Sequence, residues 1–523
     1  VLINKWKSAC RPHINCSPYR ALAYEFIKRR ALVSNVQPGL YYQGYGGIDG
    51  VLAGSKHVFL LVHPDLTTEK VLHDCGNVME DEEVRLGKDL PFRVDNLDSV
   101  VLSHGHFDHI GDVGKLPLNG YRGPFFGHTA TKAIVEQQLT YQAQQQWIAK
   151  AAERIGEGDA FRKPRANAYP GREKPAFLQK HARQIMENFQ GMRYETPFIP
   201  NGEQRGFIAT LYDAGHIIGS SQVLYEVMVG DSKIKVLTCV DLGRSDCEVP
   251  LLRKPHTEFG AIDYCLIEAT YGGKQHADRH KSREDLEELV FRGCRDGKRI
   301  LIGAFSIMRT HAILSDLFWS YKRGKLPRDL VIYLDSPGAA KLNPVIMKHL
   351  ECLSDSAQRD FRNRQENPFK FPNLRIVRDR KDSVALDKLR GPYVIISASG
   401  MWSMGRIVRH LANHVSDSNS LLVITGYQKP GCTGAQLEDL KSEIEIEGKT
   451  YTRRAEVVRI RSYGAHADGN DCVNHVVNHV RPRRGVFVVH GDTEPSEWMQ
   501  RTLASKLDVP VEIVRKGRTY RLG

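Results

Sequence analysis

Four metal-competent side chains fall within six residues in Ser103-His104-Gly105-His106-Phe107-Asp108-His109, directly after the apolar segment Ser99–Leu102. That many imidazoles and carboxylates cannot all face an apolar core. Zinc binds neutral imidazoles and carboxylates at about 2 Å, and a loop leaving a strand end can aim successive side chains at one point, which a regular helix cannot. The chain therefore needs a fold in which strand ends converge on a metal.

Other candidates recur in the same position, each just beyond a β-rich run. His73-Asp74-Cys75-Gly76 follows Val71-Leu72, Ala214-Gly215-His216 follows Phe207–Tyr212, and Asp241 follows Lys235–Val240. Glu268 follows Tyr264–Ile267, and His490 follows Gly485–Val489. Ends of neighbouring strands share one rim of a sheet, so these residues can meet. Alone, His216 or His490 reads equally well as a satisfied core histidine; beside the cluster, each becomes a ligand candidate.

The 523 residues are enough for about two to four domains. From Val58 short β-rich runs alternate with helical or loop segments, the rhythm of a layered α/β domain. A second α/β rhythm follows Glu268, with strands expected at Arg299–Ala304, Leu330–Leu334, Val394–Ser397 and Leu421–Thr425 and a helix at Arg309–Trp319. It resembles a Rossmann-like layer, and the charged stretch Ser354–Lys381 reads as a loop excursion within it. Near Val457 the first rhythm is expected to resume, and the last strand to be Val511–Val514. A polar helical insertion at about 140–200 carries Arg162, Lys163, Arg165, Arg172 and Lys174, either as a solvated surface or as a nucleic-acid contact.

Composition narrows the class. A net charge of +13 favours a polyanionic partner. The ten cysteines lack paired spacing, as expected of reduced thiols in a cytoplasmic protein. Cys10, His13 and Cys16 form a lesser zinc candidate without a clear fourth ligand. No run approaches the ~18 apolar residues of a membrane helix, so no membrane partner is expected. The first residues show no secretion signal; because residue 1 is valine, an upstream piece is expected to be missing.

The ordered motifs resemble those of metallo-β-lactamase fold nucleases carrying a β-CASP insertion, over roughly Gly46 to Leu522. The match comprises Asp74, then His104, His106, Asp108 and His109, then His216 in Gly215-His216-Ile217-Ile218-Gly219, then Asp241. The β-CASP motifs follow: Glu268 in Leu266-Ile267-Glu268-Ala269-Thr270-Tyr271-Gly272, His466 in Gly464-Ala465-His466-Ala467-Asp468, and His490 in Val488-Val489-His490-Gly491. Leu334-Asp335-Ser336-Pro337, Ser399-Gly400-Met401 and Thr425-Gly426-Tyr427-Gln428 resemble the branch of bacterial and archaeal homologues of the cleavage and polyadenylation specificity factor endonuclease.

The resemblance implies an α/β fold, a metallo-β-lactamase αββα sandwich with an inserted Rossmann-like β-CASP domain. Its expected divisions are an N-terminal extension at 1–45, the first part of the sandwich at 46–275, the β-CASP domain at 276–455 and the C-terminal part of the sandwich at 456–523. It implies two Zn2+ per chain, one held by His104, His106 and His216, the other by Asp108, His109 and His490, with Asp241 bridging. Asp74 would orient the ligands and the attacking water, and Asp108 would handle its proton. His466 would be the general acid, kept protonated by Glu268. Arg309, Ser399, Arg406 and Lys429 are candidate phosphate binders facing the cleft between the domains.

The expected function is hydrolysis of phosphodiester bonds in single-stranded RNA through a metal-bridging hydroxide, by internal or 5′-terminal cutting. DNA-repair members of the superfamily typically carry an aliphatic residue where His490 stands, so its presence favours RNA. A DNA nuclease and a small-molecule hydrolase are the enzymatic alternatives. A silent scaffold of an RNA-processing complex is disfavoured because such relatives commonly lose ligands that this chain keeps. Neither an archaeal-type KH domain nor a long C-terminal oligomerisation domain is recognised, and assembly as a homodimer or in an RNA-processing complex stays open.

Overall fold

The computed structural model describes residues 37–77, 90–155, 179–202, 206–245, 251–363, 366–460 and 463–523, with side chains omitted at 145–155. The Cys10, His13 and Cys16 cluster and the basic residues from Arg162 to Lys174 lie outside these residues.

Six strands open the first sheet: β1 (Gly39–Gly46), β2 (Lys56–Val62), β3 (Thr68–His73), β4 (Ser99–Val101), β5 (Phe125–His128) and β6 (Phe189–Met192). The second begins with β7 (Phe207–Asp213), β8 (Ser221–Val229), β9 (Ser232–Cys239) and β10 (Tyr264–Glu268). Its inner face meets the first sheet through Leu40, Tyr42, Phe59 and Val71 on one side and Phe207, Tyr225, Val236 and Leu266 on the other. Helices cover both outer faces: Val135, Leu139 and Ile185 pack on Val58, Leu72 and Val100, and Val473, Met499 and Leu503 pack on Leu237, Ile267 and Val488. These four layers are the expected αββα sandwich.

After β10 the chain leaves to build a third sheet from β11 (Arg299–Gly303), β12 (Ile332–Leu334), β13 (Leu374–Ile376), β14 (Tyr393–Ser397) and β15 (Ser420–Ile424). A hairpin, β16 (Glu443–Ile446) and β17 (Lys449–Thr452), precedes β18 (Glu456–Arg459), which pairs parallel with β15. The order is β13-β12-β14-β11-β15-β18, all parallel. Runs such as Val394-Ile395-Ile396 are apolar without alternation because helices cover both faces. The chain then returns: β19 (Gly485–Val489) and β20 (Val511–Ile513) complete the second sheet, and β21 (Thr519–Arg521) pairs with β1 in the first.

Three features differ from the sequence reading. Ser354–Lys381 is not a loop: it contains the helix Asp355–Asn363 and strand β13, because Phe361, Phe369 and Phe371 bury themselves against the third sheet while the surrounding charges stay outside. The run at Val457 joins the third sheet, so the return to the sandwich comes after Ile460, whose N–H still donates to the Ile424 carbonyl. β1 starts inside the stretch read as an N-terminal extension, because Leu40 and Tyr42 are needed by the sandwich core.

The two crossings between sandwich and third-sheet lobe are tied together. Arg279, just after the outward crossing, meets Asp316 at 2.6 Å, and Tyr463, on the return, donates its hydroxyl to the same carboxylate oxygen at 2.6 Å.

Candidate metal centre

β9, β10 and β19 run parallel, and β7 runs with them because two antiparallel pairings separate it from β9. Their C-terminal ends therefore share one rim, which carries His216, Asp241, Glu268 and His490. The parallel pair β3 and β4 of the first sheet delivers Asp74 and the histidine cluster to the same place. Gly76 lets these two loops touch: a β-carbon there would lie 1.5 Å from the Asp108 carbonyl oxygen.

Two donor sets result, each able to bring its ligand atoms within 4.8 Å of one another: His104, His106, His216 and Asp241, and Asp108, His109 and His490. Asp241 Oδ2 lies 3.3 Å from His104 Nε2 and 3.2 Å from His216 Nε2, whereas Oδ1 lies 3.1 Å from His109 Nε2 and 3.5 Å from His490 Nε2. One carboxylate thus turns one oxygen to each set. His106 presents Nδ1, at 3.1 Å from His104 Nε2 and 3.0 Å from His216 Nε2.

Protons on the far side of the rings decide which nitrogens point inward. His109 Nδ1 bonds Asp74 Oδ2 at 2.7 Å, His104 Nδ1 bonds Ser103 Oγ at 3.0 Å, and His490 Nδ1 bonds Thr270 Oγ1 at 3.1 Å. Ser103 also donates its N–H and hydroxyl to the two Asp74 oxygens, at 2.7 and 2.8 Å. Each committed Nδ1 frees the Nε2 lone pair for the centre. Ser103 and Thr270 escaped the sequence reading because a serine or threonine beside a histidine carries no spacing signal.

The residues present fit a divalent cation. Both Asp241 oxygens are buried without a hydrogen-bond partner, and the carboxylate is only 3% exposed. A buried carboxylate ringed by imidazole lone pairs is a costly arrangement that a cation relieves. Burial holds His104 and His216 below the usual histidine range and His106 at about 3, which favours the neutral rings that a metal ion requires. Against the same desolvation, His109 is driven up by the Asp241, Asp74 and Asp108 carboxylates, and the nearby histidines hold Asp74 and Asp108 well below the carboxylate range.

His466 stands beside this centre. Its Nδ1 bonds Glu268 Oε2 at 2.9 Å, and its Nε2 lies 3.8 Å from Asp241 Oδ2. Burial opposes its charge, but Glu268 and Asp241 overcome that and raise it to about 9. Glu268 is fully buried and accepts the Leu242 N–H on its other oxygen, which fixes its direction.

The remaining sequence candidates divide. Arg309 donates Nε–H to the Tyr463 carbonyl at 3.2 Å and lies over the Phe305 ring at 4.6 Å, but its Nη1 is buried without a partner. Gly400 and Gly426 flank that guanidinium; a β-carbon on Gly426 would meet Nη1 at 2.5 Å. Ser399 is 8% exposed with its Oγ unpartnered. Arg406, by contrast, is turned inward onto Asp335 and the Val377 and Arg378 carbonyls, and Lys429 is exposed beside Tyr427. His73 faces Tyr225 at 3.0 Å inside the sandwich and is not part of either set.

Three families match in chain order: the metallo-beta-lactamase superfamily over residues 53–120, the Beta-Casp domain over 311–437 and the Zn-dependent metallo-hydrolase RNA specificity domain over 450–514. Ribonuclease TTHA0252 of Thermus thermophilus is 28% identical over 446 residues, 85% of this chain and 91% of that one. An RNase J-like protein of Methanocaldococcus jannaschii is 26% identical, covering 86% of this chain and 93% of its own length. Endoribonuclease YSH1 of Eremothecium gossypii is 25% identical over 79% of this chain and 50% of its own. With the αββα sandwich, the His/Asp centre at its rim and the all-parallel inserted sheet, these matches show that the chain belongs to the β-CASP family of metal-dependent hydrolases within the metallo-β-lactamase superfamily.

Proposed function

We propose that the chain is a zinc-dependent ribonuclease that hydrolyses phosphodiester bonds of single-stranded RNA. The observation that carries this reading is the division of Asp241, one unpartnered oxygen turned to each donor set, with the Glu268-bonded ring of His466 3.8 Å away. His104, His106 and His216 would hold one Zn2+ and Asp108, His109 and His490 a second, with Asp241 shared. Bound zinc supplies Lewis acidity, neutralising phosphate charge and making water more acidic.

The chain's own residues supply the rest. Asp74 orients His109 and, through Ser103, His104. Asp108, less buried than Asp241, is the carboxylate at the centre able to take a proton from attacking water. His466 holds a proton on Nε2, on the side of the ring away from Glu268, and can pass it to the departing ribose oxygen. The unpartnered Arg309 Nη1 and Ser399 Oγ support a phosphate contact in the cleft. The inward commitments of Arg406 make it a weaker binder than the sequence suggested, and Lys429 remains available to the backbone of a bound strand.

RNA as substrate is supported by the match to an RNA specificity domain and by the names of the similar proteins. The described cysteines are all unpaired, which supports a cytoplasmic setting, and no helix among the described residues is long and apolar enough to cross a membrane. The test incubates zinc-loaded chain with matched single-stranded RNA and DNA labelled at either end, beside His466→Ala and a chelated control. RNA cleavage that requires both metal and His466 is expected, and the label pattern separates internal from terminal cutting. Cleavage of DNA alone would overturn the reading.

A further inference from the structure

The end of β5 and the short turn of 3-10 helix at Leu350–Cys352 meet where the sandwich touches the third-sheet lobe. There His128, Glu351 and Cys352 bring one ligand atom each within 4.8 Å of the others. His128 and Cys352 are 1% and 2% exposed, while the Glu351 side chain reaches the surface. None of them belongs to the rim centre, and nothing in the proposed chemistry uses them.

The spacing of the two buried donor atoms suits a shared ion. His128 Nδ1 faces Cys352 Sγ at 3.8 Å. A tetrahedral zinc bound at about 2.3 Å by sulfur and about 2.0 Å by nitrogen sets those atoms about 3.5 Å apart. The Ala130 N–H donates to the same Nδ1 at 3.2 Å, so the nitrogen that faces the sulfur is the one carrying the lone pair. Tyr194 lies flat on the ring, centroids 4.1 Å apart at 18°, and locks its plane. Burial keeps His128 neutral, with its pKa down at about 4. His349 Nδ1 bonds Glu351 at 2.8 Å and directs that carboxylate.

We propose that His128, Cys352 and Glu351 form a further metal site of the zinc class, with water in the fourth position, that pins the β-CASP lobe to the sandwich. A free thiol is protonated at neutral pH, so capture of the ion displaces the thiol proton, one proton released per ion bound. The Ala130 bond to Nδ1 is given up at the same moment. The ion joins residues of two lobes that the chain connects only through the crossings near Arg279 and Tyr463.

Cobalt distinguishes this site from the rim, whose donors are all nitrogen and oxygen. The full chain, stripped of metal and titrated with Co2+, is expected to develop a near-ultraviolet thiolate-to-cobalt charge-transfer band. The band should disappear in Cys352→Ser and persist in His104→Ala and in Cys10→Ser/Cys16→Ser, while the visible bands of rim-bound cobalt survive in Cys352→Ser and report an intact fold. Glu351→Gln, a change at the surface, should move the charge-transfer titration to about tenfold higher cobalt or more. A wild-type chain without the band, a band undiminished in Cys352→Ser, or a titration unmoved by Glu351→Gln would each overturn the proposal. The readout is independent of RNA cleavage, so it stands or falls apart from the ribonuclease reading.

Discussion

Two buried aspartates, each just beyond a parallel strand, show how identical side chains come to different ends. Asp241, after β9, is ringed by imidazole nitrogens and has no hydrogen bond on either oxygen. Asp335, after β12, is completely buried too, yet Arg406 bonds one oxygen, and Ser383 and His410 the other. The difference lies in where the protons go. Around Asp241 the histidine Nδ1 protons are spent outward on Asp74, Ser103 and Thr270, leaving lone pairs inward. Around Asp335 every neighbour donates, and His410 lies between two carboxylates, Asp335 at 2.7 Å and Asp387 on its other nitrogen. The first arrangement suits a cation; the second is already a complete polar network that ties elements of the β-CASP lobe together.

Asp241→Asn tests the first half of that contrast. It should remove one oxygen shared by the donor sets, lower bound zinc by mass spectrometry and cost activity about a thousandfold or more, the scale of losing several kcal/mol of charge stabilisation. Its melting temperature in the presence of chelator should stay near that of the wild type. His466→Ala should lower kcat by about 10²–10⁴ while zinc content holds, because that residue moves a proton and binds no ion in the proposed scheme. Zinc lost together with activity would place His466 among the ligands instead.

Asp335→Asn should do the reverse of Asp241→Asn: destabilise the chain by about 3–5 kcal/mol in denaturant unfolding, by taking the carboxylate from Arg406, Ser383 and one side of His410, with zinc content unchanged. Thr270→Val removes only the hydroxyl that orients His490 and should weaken zinc affinity by about 10–100-fold in competition with a chelator. The smallest effect is a pH dependence of stability. His410 is raised above the usual histidine range, so its contribution is complete below about pH 6.5 and fades as pH climbs through its folded pKa. Asp335 and Asp387 are lowered, so theirs is complete above about pH 4 and fades as pH falls through their folded values. His410→Gln should flatten the alkaline limb of the stability profile and also shrink the acid limb, because His410 is the main group holding both carboxylates down.

Legibility in the sequence tracked spacing. The histidine cluster could be read because its metal-competent side chains are neighbours on one loop, and His216, Asp241, Glu268 and His490 because each ends an apolar run. Helix Asp355–Asn363 and strand β13 were missed because a few phenylalanines anchor a stretch that is otherwise charged. Arg406 looked like its neighbours in the cleft until Asp335 claimed it. His128 and Cys352 gave no hint at all: they are far apart in the chain and meet only where two lobes touch.

The sequence by itself determined the kind of fold and the chemistry of the rim, since strand periodicity and ligands adjacent to strand ends are local properties that survive without knowledge of contacts. Only the tertiary structure decided which histidine nitrogen faces inward, which aspartate is left without protons and which arginine is already engaged. Those outcomes depend on hydrogen bonds between residues remote in the chain, such as Thr270 with His490 or Asp335 with Arg406, and a one-dimensional pattern carries no record of them.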